Sequence, residues 1–113
     1  MRISEIKNMI EAAQLPATYL FWPEDDPEGV PALPYIVWHL PNSNNFNADD
    51  KVYRRIDVLH IELYTATKDF NTEFVLEAIL DNAGMVWEKQ ETYLNTEHMF
   101  DIEYTMEVII DGE

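Results

Sequence analysis

Cysteine is absent from this sequence. That removes disulfides, thiolate nucleophiles and Cys-ligated zinc together, and fits a reducing or redox-indifferent environment. Serine occurs only at Ser4 and Ser43, neither inside a Gly-x-Ser-x-Gly elbow, so a serine hydrolase has no support. The three glycines, Gly29, Gly84 and Gly112, stand far apart and cannot build a phosphate-cradling loop. Positive charge is the other shortage: seven Lys and Arg face 22 Asp and Glu, a formal net charge of −15. A nonspecific nucleic-acid binder releases counterions with cations this chain does not have, and an anionic membrane is disfavoured for the same reason. No apolar run approaches the ~20 residues that span a bilayer. Glu5 and Glu11 stand where a secretory signal would carry its apolar core, so export by signal peptide is not expected.

What is present is enough for a core. Apolar residues make up 47% and aromatics 12% of 113 residues, which fits one domain, 1–113, burying roughly 65% of its unfolded surface. The chain is organised around residues 52–65, a stretch free of Gly and Pro and dense in β-branched and aromatic types, which predicts one long strand. Leu59, Ile61 and Leu63 share one face of it; Val52, Ile56, Val58 and Tyr64 share the other. A strand apolar on both sides needs cover on both sides. A helix of the same chain supplies one cover, and a neighbouring subunit is the expected second.

Around that strand the pattern predicts six more elements. A short helix opens at Ile3 or Ser4, with Ser4 as N-cap and Ile6, Met9, Ile10 and Ala13 at helical spacing. Residues 17–22 form a brief strand. Residues 23–31 hold three prolines and four carboxylates and stay extended in solvent. A second strand, 35–40, is closed by Pro41. A polar loop follows at 42–50, carrying the isolated aromatic Phe46, which either tucks back onto the domain or docks on another molecule. After the long strand, Asp69 caps a second helix from Phe70 to about Ala83, stopped by Gly84. Its inward stripe is expected to be Phe70, Phe74, Leu76, Ala78, Ile79, Leu80 and Ala83, with Asn71, Glu73, Glu77 and Asp81 facing water. Strands at 85–96 and 98–110 complete the chain. The last alternates cleanly, apolar from Phe100 to Ile110 on one side, with Asp101, Glu103, Thr105 and Glu107 presented to water on the other. The expected fold is α+β, in the order α-β-β-β-α-β-β, a mainly antiparallel sheet with helices packed on one face.

Few constellations rise above bland explanations. The carboxylates Glu24, Asp25, Asp26 and Glu28 suit a hard cation but lack EF-hand spacing, and Asp49-Asp50 is no better; both read as solvated acid. His39, His60 and His98 fall on three expected strands with no pairing motif, so neither a metal nor a catalytic site is assigned. No cofactor is expected. Lys51, Arg54 and Arg55 pack three of the seven cations into five positions. They either balance Asp49, Asp50 and Asp57 locally or meet a carboxylate face such as Asp101, Glu103 and Glu107 on the next copy. The latter is a heterologous contact, and such contacts close into rings.

The runs Leu33-Pro34-Tyr35-Ile36-Val37-Trp38 and Asn42-Ser43-Asn44-Asn45-Phe46, with Asp49, Lys51-Val52-Tyr53, Ile61-Glu62-Leu63-Tyr64-Thr65 and Lys68-Asp69-Phe70, resemble small prophage proteins of Gram-positive bacteria. Such proteins are encoded among head–tail connector and tail genes. Glu88-Lys89, Glu91-Thr92-Tyr93 and Tyr104-Thr105-Met106-Glu107-Val108 match the same pattern. The element order also resembles the tail terminator, or tail-completion, proteins of long-tailed phages. The resemblance implies a non-enzymatic virion protein, made in the host cytoplasm, that caps the tail tube as a ring, commonly a hexamer, and offers a surface to the head connector. DNA passes through without specific binding, sliding past carboxylates that repel it. It further implies Phe46, Lys51, Arg54 and Arg55 at subunit contacts, and Glu24, Asp25, Asp26, Asn44, Asn45 and Asp49 in loops facing the tube or connector. The rival of another class is an acidic DNA mimic that inhibits a nucleic-acid enzyme. A mimic needs an unbroken carboxylate surface, which the basic cluster interrupts.

Overall fold

The computed structural model describes every residue except 24–28, and of Tyr53 only the backbone. The elements run α1 (Ile3–Glu11), β1 (Ala17–Tyr19), β2 (Tyr35–Ser43), β3 (Phe46–Ala48), β4 (Lys51–Arg54), β5 (Ile56–Thr65), α2 (Phe70–Asn82), β6 (Trp87–Leu94) and β7 (Met99–Ile109). Five strands make one sheet in the order β1-β2-β5-β7-β6, and β3 pairs with β4 as a separate hairpin. Only β1 runs parallel to its neighbour β2; the fold is α+β with a mixed, mostly antiparallel sheet.

Strand β5 lies at the centre because it can be buried from edge to edge. Its residues alternate strictly between half-buried and buried, as a period of two requires. Leu59, Ile61 and Leu63 are sealed in one core with Ile6 and Ile10 of α1, Leu76 and Leu80 of α2, and Ile102, Tyr104, Met106 and Val108 of β7. Both helices therefore cover the same side of the sheet. The first helix begins with Arg2, not Ser4, at the cap position. Its open N–H groups find other partners: Ile3 N and Ser4 N donate to Gly112 O at 3.0 Å and Glu113 O at 2.9 Å. The Glu5 carboxylate accepts from Arg2 N at 2.9 Å. The second helix is capped as its sequence predicts. Asp69 accepts from Thr72 N at 3.1 Å and from the Thr72 hydroxyl at 2.6 Å, and these bonds hold its carboxyl below the ordinary range. Gly84 then takes φ +76°, the left-handed turn a glycine permits.

Several expectations change. The stretch 52–65 is not one strand: it breaks at Arg55, and residues 51–54 leave the sheet to pair with β3. Val52 therefore shares no face with Ile56, Val58 and Tyr64. Residues 42–50 are not simply a loop, since β2 runs on to Ser43 and β3 lies within it. Pro41 does not end β2 because it falls in the register shift between His39 and Asn42, where a missing N–H costs no ladder bond. The 17–22 strand stops at Tyr19, and Leu20 adopts φ +70°.

A further change is in α2. Glu73 is 0% exposed, whereas Phe70, Phe74 and Val75 are 59%, 58% and 53% exposed, and Ala78 is exposed too. The helix has turned Glu73 and, in part, Glu77 inward, while Asn71 and Asp81 face water as expected. The cause lies beneath it: register places Lys89 beside Tyr104 and Glu91 beside Ile102, on the helix-covered side of the sheet. A helix over β6 meets charge there, and Glu73 answers it better than phenylalanine can.

Candidate functional site

The hairpin β3–β4 is an arm carried outside the main sheet. Asp49 and Asp50 turn it with φ +52° and +60°, the paired left-handed geometry that matches strand twist in a two-residue loop. Its base is tied down by Asn44 and Asn45. Asn44 N donates to Ile56 O at 2.8 Å, and Ile56 N donates to Asn45 Oδ1 at 2.9 Å. Asn44 Nδ2 donates to Glu107 at 3.0 Å. Among the described side chains of residues 41–55, all but Asn45 are exposed. The arm helps draw the molecule out to 49 × 32 × 25 Å, with a radius of gyration of 15.3 Å, where a compact chain of this length gives ~13 Å.

On the arm, Phe46 and Val52 are 57% and 59% exposed. Arg55 reaches Asp57 at 3.4 Å, so this one cation is balanced within the chain. Lys51 and Arg54 have no ion pair among the described residues. Residues 42–55 hold three cations and two carboxylates, a local net of +1 on a chain of −15. Of the other candidate docking residues, Glu24, Asp25 and Asp26 lie outside the described residues.

The sheet side away from the helices gathers the titratable groups. His39 and His60 face each other across β2 and β5 with rings 5.3 Å apart. His60 Nδ1 lies 3.7 Å from Glu103, and the Tyr64 hydroxyl donates to Glu62 at 3.0 Å. His98 is in the turn between β6 and β7, not on a strand. Asp101 is pushed up to about 7, first by burial, then by the charges of Glu62 and Glu103 and a hydrogen bond with Glu62. Burial and the charge of Asp101 also raise the Tyr64 phenol. Trp22 stands edge-on against Tyr35 at 5.7 Å, and Tyr35 leans on Tyr64 at 5.3 Å. This side is thus half-covered near Asp101 rather than open to water, and only Glu107 of the three β7 carboxylates is exposed. Among the described residues, no three His, Asp or Glu side chains converge as a metal ligand set.

On α2, the buried Glu73 holds Lys68 at 2.6 Å and Lys89 at 3.3 Å. Lys68 also meets Glu91 at 2.6 Å, and Lys89 meets Glu77 at 2.9 Å. Tyr104 donates its hydroxyl to Glu77 at 2.7 Å. Outside this network lie Phe70 and Phe74, with ring centroids 6.2 Å apart, and the Lys68 ammonium sits 4.7 Å over Phe70. Sequence reasoning missed this surface. The signal that could have found it was Lys89 and Glu91, alternating into the covered side of β6.

The structure thus brings Lys51, Arg54 and Phe46 together on the arm. It places Asp101 and Glu103 on the far sheet side, already engaged with Glu62 and His60, and gives Glu107 to the arm's own base. No protein-family model matches the chain, and no curated protein matches it.

Proposed function

We propose that the protein is a non-enzymatic component of a phage virion, a tail terminator or head–tail joining protein that works as a ring of identical copies. The observation that carries this reading is the arm: a locally basic, outward hairpin with Lys51 and Arg54 unpaired among the described residues, on a strongly acidic body. An arm of that kind adds little to its own core. Its charge suits a carboxylate-rich surface on another copy, where opposite charge sets register and pairing more than affinity. The resemblance of its sequence runs to prophage connector and tail proteins supports the same role, with tail tube and head connector as further partners. An acidic lumen would let the duplex pass without binding it.

The test reverses the arm's charge. Lys51→Glu with Arg54→Glu alters two exposed residues, so the monomer stays folded. Light scattering after size exclusion, at raised protein concentration and low salt, should show rings or larger species for the parent and loss of them for the variant. Micrographs should place the parent at one end of phage tails. Assembly identical in parent and variant removes the arm from the contact. A salt-sensitive one-to-one complex with a DNA-binding enzyme, with no self-association, would favour the DNA mimic instead.

A further inference from the structure

We propose that the outward face of α2, centred on Phe70, Phe74 and Val75, is the seat for the β3–β4 arm of a second copy of this chain. This rests on the assembly reading above and names the receiving surface that reading leaves open.

The seat is apolar where a lone molecule gains nothing from being apolar. Phe70, Phe74 and Val75 are each more than half exposed within six residues of one helix. Isolated surface hydrophobics are ordinary, but grouped ones mark contacts. The arm offers matching character in Val52, 59% exposed, on one side, and in Phe46, 57% exposed, on the other, where Phe46 pairs with Arg54 across the hairpin.

Charge points the same way. Residues 68–94, which carry the seat, hold five carboxylates and two lysines on the helix-covered side, a net of −3, with Glu88 on the far side opposite Thr105, against +1 for residues 42–55. Both lysines of the seat are already committed, Lys68 to Glu73 and Glu91 and Lys89 to Glu73 and Glu77. The arm's cations therefore approach a surface with no spare cation to oppose them. Lys68 over Phe70 shows how an ammonium rests on this face, and an Arg54 guanidinium brought over Phe74 would repeat the arrangement.

Position sets arm and seat apart within one chain. The arm leaves the sheet at Ile56, and β5 then runs ten residues to Thr65, about 33 Å at ~3.3 Å per residue. Phe70 follows five residues later and α2 has returned only part of the way by Val75. Arm and seat thus lie toward opposite ends of the molecule. The contact is head to tail, and it closes into a ring when the rotation per copy allows.

The absence of native cysteine gives a clean test. Val52→Cys and Phe74→Cys are both at exposed positions, so each single variant should fold. Mixed in equal amounts at high concentration and gently oxidised, they should give the mixed dimer at about tenfold or more above random pairing, as enforced proximity does. Phe74→Cys mixed with Ser4→Cys, a control on the exposed side of α1, should pair randomly. The double variant Val52→Cys/Phe74→Cys should yield a ladder of covalent multimers. A disulfide closed within one chain, or random pairing of Val52→Cys with Phe74→Cys, overturns the proposal. If arm reversal abolishes assembly while that pairing is random, only the seat is wrong. If reversal changes nothing and pairing is random, the seat and the arm's role in assembly both fall.

Discussion

Replacing Glu73 with Gln keeps the shape of the side chain and removes its charge, at a site where no water can compensate. Glu73 is 0% exposed and holds two ammonium groups, at 2.6 Å and 3.3 Å. Removing one member of a buried ion pair costs ~3–5 kcal/mol, because the partner stays buried without its counter-charge. Here the lysines are less stranded. Their side chains remain 28% and 33% exposed, and each retains a second carboxylate, Glu91 at 2.6 Å or Glu77 at 2.9 Å. The lower end applies, about 3 kcal/mol. With an unfolding entropy of ~2.1 cal/mol/K per residue, that loss lowers the Tm by about 13 °C. Calorimetry of parent and Glu73→Gln at pH 7, with urea titrations for the free energy, measures it. High salt should shrink the difference only in part, since Glu73 is buried while its two lysines are about a third exposed. For Lys68 and Lys89 burial acts downward, but hydrogen bonds to their carboxylates outweigh it and both pKa values end above the ordinary 10.5. Their contribution is therefore complete at neutral pH and is lost only as pH rises past about 10.5 through the folded values. A Glu73→Gln protein melting within about 2 °C of the parent would refute the network and the orientation of α2 that it explains.

The Asp101 group predicts a pH dependence of opposite sense from that of an ion-paired carboxylate. Its folded pKa of about 7 stands above the ordinary 3.8, so between those values the folded chain holds a proton that the unfolded chain has lost. Stability should fall as pH rises from about 4 to about 7 and then level off. The facing groups Glu62, Glu103, His60 and Tyr64 remain in place in Asp101→Asn, which should flatten that slope and gain roughly 1–2 kcal/mol at pH 8 after allowance for partial solvation. Urea midpoints at pH 5 and pH 8 decide it, and equal slopes in parent and variant would exclude Asp101 as the source. Phe46→Ala should cost less than about 1 kcal/mol, since the ring is 57% exposed, against the ~3–5 kcal/mol of a core phenylalanine. A thermal melt showing the larger loss would return Phe46 to the core.

Much of the fold was legible because it follows from local pattern. The residue types of 52–65 and the alternation of 100–110 place β5, within a longer expected strand, and β7, and pick the residues that line the core, since side chains of a strand must alternate whatever it pairs with. Asp69 and Gly84 mark both ends of α2 by local hydrogen bonding and backbone freedom. The basic cluster at 51–55 is visible as composition alone. The arm carrying it was not, because residues 51–54 have strand character equal to that of residues 56–65. The departure at Arg55 depends on β3 competing for them as a partner.

By itself, then, the sequence determined a cysteine-free, acidic α+β domain with a two-sided central strand and a cluster of cations on an anionic chain. Tertiary structure decided which side of α2 faces inward. Apolar periodicity there is ambiguous, and Lys89 and Glu91 beneath the helix tip the balance by drawing Glu73 into the core and leaving Phe70 and Phe74 outside. It also decided that His39 meets His60 while His98 stands in a turn, because register between strands distant in sequence is set by pairing, not by composition. The reason is the same in both cases: a residue's own neighbours in the chain set its local conformation, but the neighbours it meets across space set what that conformation is used for.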